Sequence, residues 1–88
     1  MLKYLVEFIG TFIFLSVILT SGEAIPIGVA LAAVIFFGGS ISGGNFNPAV
    51  SISMLLNNKL SQIDTAGYIA AQIAGAAAAV MFVKNAKN

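Results

Sequence analysis

The chain has 88 residues, 59% hydrophobic and 8% charged, against roughly 25% charged in an ordinary soluble domain. Three membrane-crossing helices of about 20 residues would use about 60 of them and leave about 28 for loops, caps and one short helix, which excludes a soluble enzyme domain. A net charge of +1 without a basic run cannot neutralise a phosphate backbone and excludes a nucleic-acid partner.

The missing residue types narrow the choice. Without Cys or His there is no disulfide, no thiolate nucleophile and no imidazole base or ligand. The acids Glu7, Glu23 and Asp64 stand singly along the chain, so they form no hydrolytic constellation. No catalytic residue, metal set or cofactor is expected. A transporter, a channel or a membrane structural protein remains.

In chain order, the first apolar run covers residues 2–20 and is broken only by Lys3 and Glu7. It is long enough to cross a bilayer. A cleaved signal peptide is the rival reading; Glu7 and the length of the run argue against it. Ser21-Gly22-Glu23 is a turn cluster. The second span is expected at 25–41, with Pro26 near its start, where a missing N–H is harmless. The apolar part ends at Phe37, so Gly38 to Ile41 must extend it.

Ser42-Gly43-Gly44-Asn45-Phe46-Asn47-Pro48 looks like a solvated loop, yet a short apolar stretch follows, to residue 56. A helix over 48–56 is about 13 Å long and crosses about half of a 30 Å core, which predicts a re-entrant half-helix. Asn47 is a favourable N-cap and Pro48 suits the first helical position. At membrane depth such a non-helical segment must be buried in protein or line a wet cavity. Lining a cavity, the half-helix N-terminus presents about half a positive charge, and Asn47 adds amide donors. Such a site orients water or a hydroxyl and repels cations.

The third span is expected at 65–83, capped by Asp64 or Ser61. Gly67, Ala71, Gly75 and Ala79 fall four residues apart and predict a smooth stripe for close helix packing; an Ala-rich helix is the plainer alternative. No linker or repeat is visible, and the fold expected is one all-α membrane domain.

Three stretches, in order, resemble the aquaporin and glycerol-facilitator family, the major intrinsic proteins. They are Glu7-Phe8-Ile9-Gly10-Thr11, SGGNFNPAVS from Ser42 to Ser51, and Tyr68-Ile69-Ala70-Ala71-Gln72-Ile73-Ala74-Gly75-Ala76. The resemblance covers essentially the whole chain but only one of the family's two inverted repeats, a half-aquaporin: three transmembrane helices plus one half-helix. It implies an integral membrane protein of a cell or inner membrane and a passive channel for water and small neutral solutes, glycerol-like ones included. Asn47, Pro48 and Ala49 would form the pore motif. Filter positions carry over to Ile27, Ile35, Gly44 and Val50. The carboxylate of Glu7 would turn inward and brace the loop with Gln72 and Asn45; an interfacial acid beside Lys3 is the blander alternative. Tyr68 reads as an interfacial or packing aromatic. Two departures stand out: Asn45 where the family usually has His, and Val50 where its second repeat typically has Arg.

A crossed pair of half-helices needs a second, inverted unit. Three spans place Lys3 and Lys59 on one side and Lys84 and Lys87 on the other, and this even division removes the positive-inside bias. Dual insertion and an antiparallel homodimer are therefore expected, each mouth combining Ile27 of one copy with Ile35, Gly44 and Val50 of the other. By resemblance, four such dimers would make an octamer in the lipid bilayer. The competing readings are a heteromeric channel whose other half supplies the arginine, a non-conducting structural protein, and a dual-topology exporter. The exporter would want a mid-span acid, and Glu7 lies too near the helix end.

Overall fold

The computed structural model describes residues 1–86; Lys87, counted in the charge balance, lies outside them. Four helices follow in chain order: α1 (Leu2–Ser21), α2 (Ala24–Ser42), α3 (Pro48–Leu56) and α4 (Gln62–Ala86). Among the described residues there is no strand. At 20, 19 and 25 residues, α1, α2 and α4 measure about 30, 28 and 37 Å, and each is apolar enough to cross a membrane. The protein is an all-α membrane protein.

Local chemistry sets the ends. Gly22 stops α1 and Gly43 stops α2, both in the left-handed region (φ 68° and 90°) that glycine enters without steric cost. Pro26 is the third residue of α2. The first bond of that helix, Ile27 N–H to Glu23 O, follows it, so the proline removes none. Gly38-Gly39-Ser40 continues α2 where it would weaken a helix in water; in a bilayer no solvent competes for the carbonyls. The third span begins earlier and ends later than the apolar run suggests. Ser61 caps it by accepting from Asp64 N–H (3.0 Å), and polar residues extend both ends beyond the hydrocarbon-facing stretch. Asp64 is therefore not the cap. It accepts from Lys3 Nζ (2.8 Å) and Tyr4 OH (2.6 Å), which ties the start of α4 to the start of α1.

α1 is the central helix. α4 runs parallel to it on one side, α2 returns antiparallel on the other, and α3 packs on α4 alone. The α1–α4 seam is close. A methyl carbon at Gly75 would lie 2.7 Å from the Phe8 carbonyl oxygen and 3.2 Å from Phe12 N, and one at Gly67 would press on the Tyr4 ring. Ala79 is fully buried and Ala71 half-buried. A strict four-residue row drifts about 40° round a helix at each step. The face that α4 buries therefore follows Thr65, Tyr68, Gln72, Gly75, Ala79 and Val83, and the small-residue stripe shares only its second half.

Elsewhere the surface is apolar. Ile25, Val29, Phe36 and Phe37 of α2 are exposed, Phe36 by 80%. An open groove of about 400 Å³ between α1 and α2 is lined by residues such as Ile9, Ile13, Val34 and Phe46.

Candidate functional site

The segment from Gly43 to Asn47 doubles back into the bundle. Gly43, Gly44 and Phe46 all have positive φ (90°, 67° and 54°), which reverses the chain within a few residues. A methyl group on Gly44 would lie 3.4 Å from Ile35 Cγ1 and 3.6 Å from the Cα atoms of Ile35 and Gly39. Ile35 precedes the last residue of α2 by seven positions, so the loop returns along α2 by about 10 Å. It is re-entrant, and α3 starts from inside.

Every amide the loop turns inward needs a partner: Gly39 O and Ser42 Oγ take those of Gly43 and Gly44, and Glu7 takes the next two. Its side chain is fully buried. Oε1 accepts from Phe46 N–H (2.7 Å) and Gln72 Nε2 (2.8 Å); Oε2 accepts from Ser42 Oγ (2.7 Å) and Asn45 N–H (3.1 Å). Four donors fill the roughly four lone-pair sites of a carboxylate. Ser51 Oγ, in α3, accepts from Asn45 Nδ2 (3.0 Å) and Gln72 Nε2 (2.9 Å). Tyr68 OH donates to Ser42 O (2.5 Å). One network thus joins all four helices and the loop. Thr11 Oγ1 and Gln72 Oε1 are buried beside it without a hydrogen-bond partner.

Asn47 has extended backbone (φ −161°, ψ 126°) and caps α3, its Oδ1 accepting from Ala49 N–H (2.8 Å). Its side chain is exposed, and its amide nitrogen has no acceptor among the described residues. Pro48 is half-buried and Ala49 exposed. The four filter positions are not assembled in one chain. Ile35 and Gly44 touch, Val50 lies half-buried in the first turn of α3, and Ile27, eight residues before Ile35, is about 12 Å away along α2.

Several residues of this site escaped sequence reasoning. Ser42 and Ser51 bracket the loop motif and both join the network. Tyr68 packs edge-on against Tyr4, as a packing aromatic, but its hydroxyl also holds the end of α2. Lys3 pairs with Asp64, not with Glu7. Phe46, 2% exposed, is the largest omission. Its left-handed backbone costs about 1–2 kcal/mol in an L-residue, offset by the packing of its ring between α1 and α2 and by its N–H bond to Glu7. The available signal was Gly10, which leaves room for a ring on α1.

Comparison with known proteins agrees with this architecture. The chain is 45% identical over 94 residues to glycerol uptake facilitator protein-like 6 of Lactiplantibacillus plantarum, covering 97% of this chain and 44% of that protein. It is 41% identical over 56 residues to aquaglyceroporin AqpS of Rhizobium meliloti (64% of this chain, 24% of that one). It is 39% identical over 64 residues to aquaporin Z of Brucella melitensis (70% and 28%). The chain spans less than half the length of these curated relatives. No solved structure matches it. The family model described as major intrinsic protein matches residues 1–88, and the chain belongs to that family, as an integral membrane protein.

Proposed function

We propose that this chain supplies half of a passive channel for water and small neutral solutes, glycerol-like ones included, and that an inverted second copy supplies the other half. The observation that carries the reading is Asn47: it caps a half-helix inside the bundle while its amide donors stay free on an open face. Two such helix N-termini facing each other would exclude cations by their dipoles and orient a solute oxygen through the two Asn47 amides. Asn47, Pro48 and Ala49 are the pore motif in this reading. Glu7, Gln72 and Asn45 brace it. Ile27 of one copy with Ile35, Gly44 and Val50 of the other form each mouth. That constriction is apolar and carries no arginine, so it is permissive. The names of the relatives, a glycerol facilitator and an aquaglyceroporin among them, support the solute class. The even division of lysines supports insertion in both directions, and four dimers would give an octamer.

Val50 favours one second reading, a heteromeric channel whose other half bears the arginine. The test is osmotic: liposomes containing only this chain should shrink faster than empty vesicles under an impermeant osmolyte, and re-swell faster in hyperosmotic glycerol. Rates equal to empty vesicles leave the heteromer or a non-conducting structural protein. Labels at the two termini, probed from each side of the membrane, decide the topology, since one-sided labelling excludes the antiparallel homodimer.

A further inference from the structure

We propose that Phe46 is the positioning residue of the pore loop: its ring, wedged between α1 and α2, sets where Asn47 stands. This rests on the reading that Asn47 faces the solute path. The geometry is specific. A methyl group on Gly10 would run into the ring; one on Gly38 would press on Val6 Cγ1 at 2.7 Å and only touch the ring, 3.4 Å from Cζ. α1 thus carries glycine where the ring lies, and α2 closes the other side. Phe46 is also held at its backbone, where N–H donates to Glu7 Oε1 (2.7 Å). Ring and amide together keep the residue at φ 54°, a conformation bulky side chains avoid. Relaxing φ to the negative region would swing the following peptide, and Asn47 with it.

The rest of the site cannot do this. α3 packs on α4 and not on α1 or α2, so the helix Asn47 begins has no apolar anchor of its own on that side. The carboxylate of Glu7 fixes the loop's amides but fills no space. The Phe46 ring is what registers the loop against the α1–α2 pair.

The experiment is a size exchange across the slot, read in lipid nanodiscs and liposomes. Phe46→Ala should speed hydrogen exchange in residues 43–47 at least tenfold while α4 stays protected, and shift the glycerol-to-water permeability ratio at least threefold. Phe46→Leu should shift both less. Gly10→Ala should perturb the loop by collision, and the double variant Gly10→Ala with Phe46→Leu should recover most of the lost protection and the ratio, a rescue that general destabilisation does not give. Unchanged loop exchange and permeability ratio in Phe46→Ala overturn the proposal, as does a double variant no better than Gly10→Ala alone. If Phe46→Ala fails to fold, Phe46→Leu and the double variant decide. If unaltered protein conducts no better than empty vesicles, the channel reading fails, and the exchange data still judge the slot.

Discussion

The two sides of α1 differ in kind. Toward α4 the chain is closely packed: glycine lets backbone meet backbone, the buried carboxylate is fully satisfied although Thr11 Oγ1 and Gln72 Oε1 beside it are not, and 28% of the α4 span is buried within the chain. Toward α2 and the open face of α3 it is unfinished: only 11% of the α2 span is buried, Phe36 and Phe37 project outward, and the Asn47 amide nitrogen has no acceptor among the described residues. Lipid tolerates apolar exposure, since helices in a bilayer associate through packing and hydrogen bonds, without a hydrophobic drive. It does not tolerate unmet polar groups such as the Asn47 amide. The contrast separates what the chain must do for its own fold from what it offers to a second unit and a solute.

Breaking the closely packed side should have the largest effect. Glu7→Ala strands the backbone N–H groups of Asn45 and Phe46 and takes one acceptor each from Ser42 Oγ and Gln72 Nε2, and at about 1–3 kcal/mol for each buried unsatisfied group it should sharply lower folded yield. Size-exclusion profiles in mild detergent check this. Next comes Gly75→Ala: it meets two backbone atoms and the Thr11 Cβ, none of which can rotate away, so α1 and α4 must part, at about 1–3 kcal/mol, seen as a lower temperature of thermal aggregation.

Changes on the unfinished side should spare the fold and touch the flux. Asn47→Asp keeps an N-cap oxygen, so stability should stay within about 0.5 kcal/mol. It removes the amide donors and adds a negative charge at the solute path, so neutral-solute flux should fall several-fold in liposomes and cation leak should rise. The smallest effect is expected at Gly28 on α2, where a methyl group meets nothing within 4 Å. Gly28→Ala should leave the monomer unchanged within about 0.5 kcal/mol. Weaker self-association of that variant in detergent would place a second copy on this face and sharpen the comparison.

Much of this was legible in the residue order. The half-helix at 48–56, its Asn47 cap and its proline are local facts of spacing and side-chain chemistry, and the spans follow from apolar runs the bilayer demands. The inward turn of Glu7 with Gln72 was expected from resemblance to a family, not from periodicity. Ser61 and Asp64 were indistinguishable as caps, because both are good cap residues near the right place; Lys3 and Tyr4, about 60 positions away, draw Asp64 off. Phe46 read as an ordinary loop residue because its slot lies on two other segments.

Sequence alone therefore determined that this protein lives in a membrane, where it crosses and where the chain turns back, since hydropathy and capping act over a few neighbouring residues. Tertiary structure alone decided which four donors close around Glu7, which glycines meet backbone and which receive the Phe46 ring. Those matters depend on atoms brought together from segments 21 to 65 positions apart, and no short-range pattern encodes such distances.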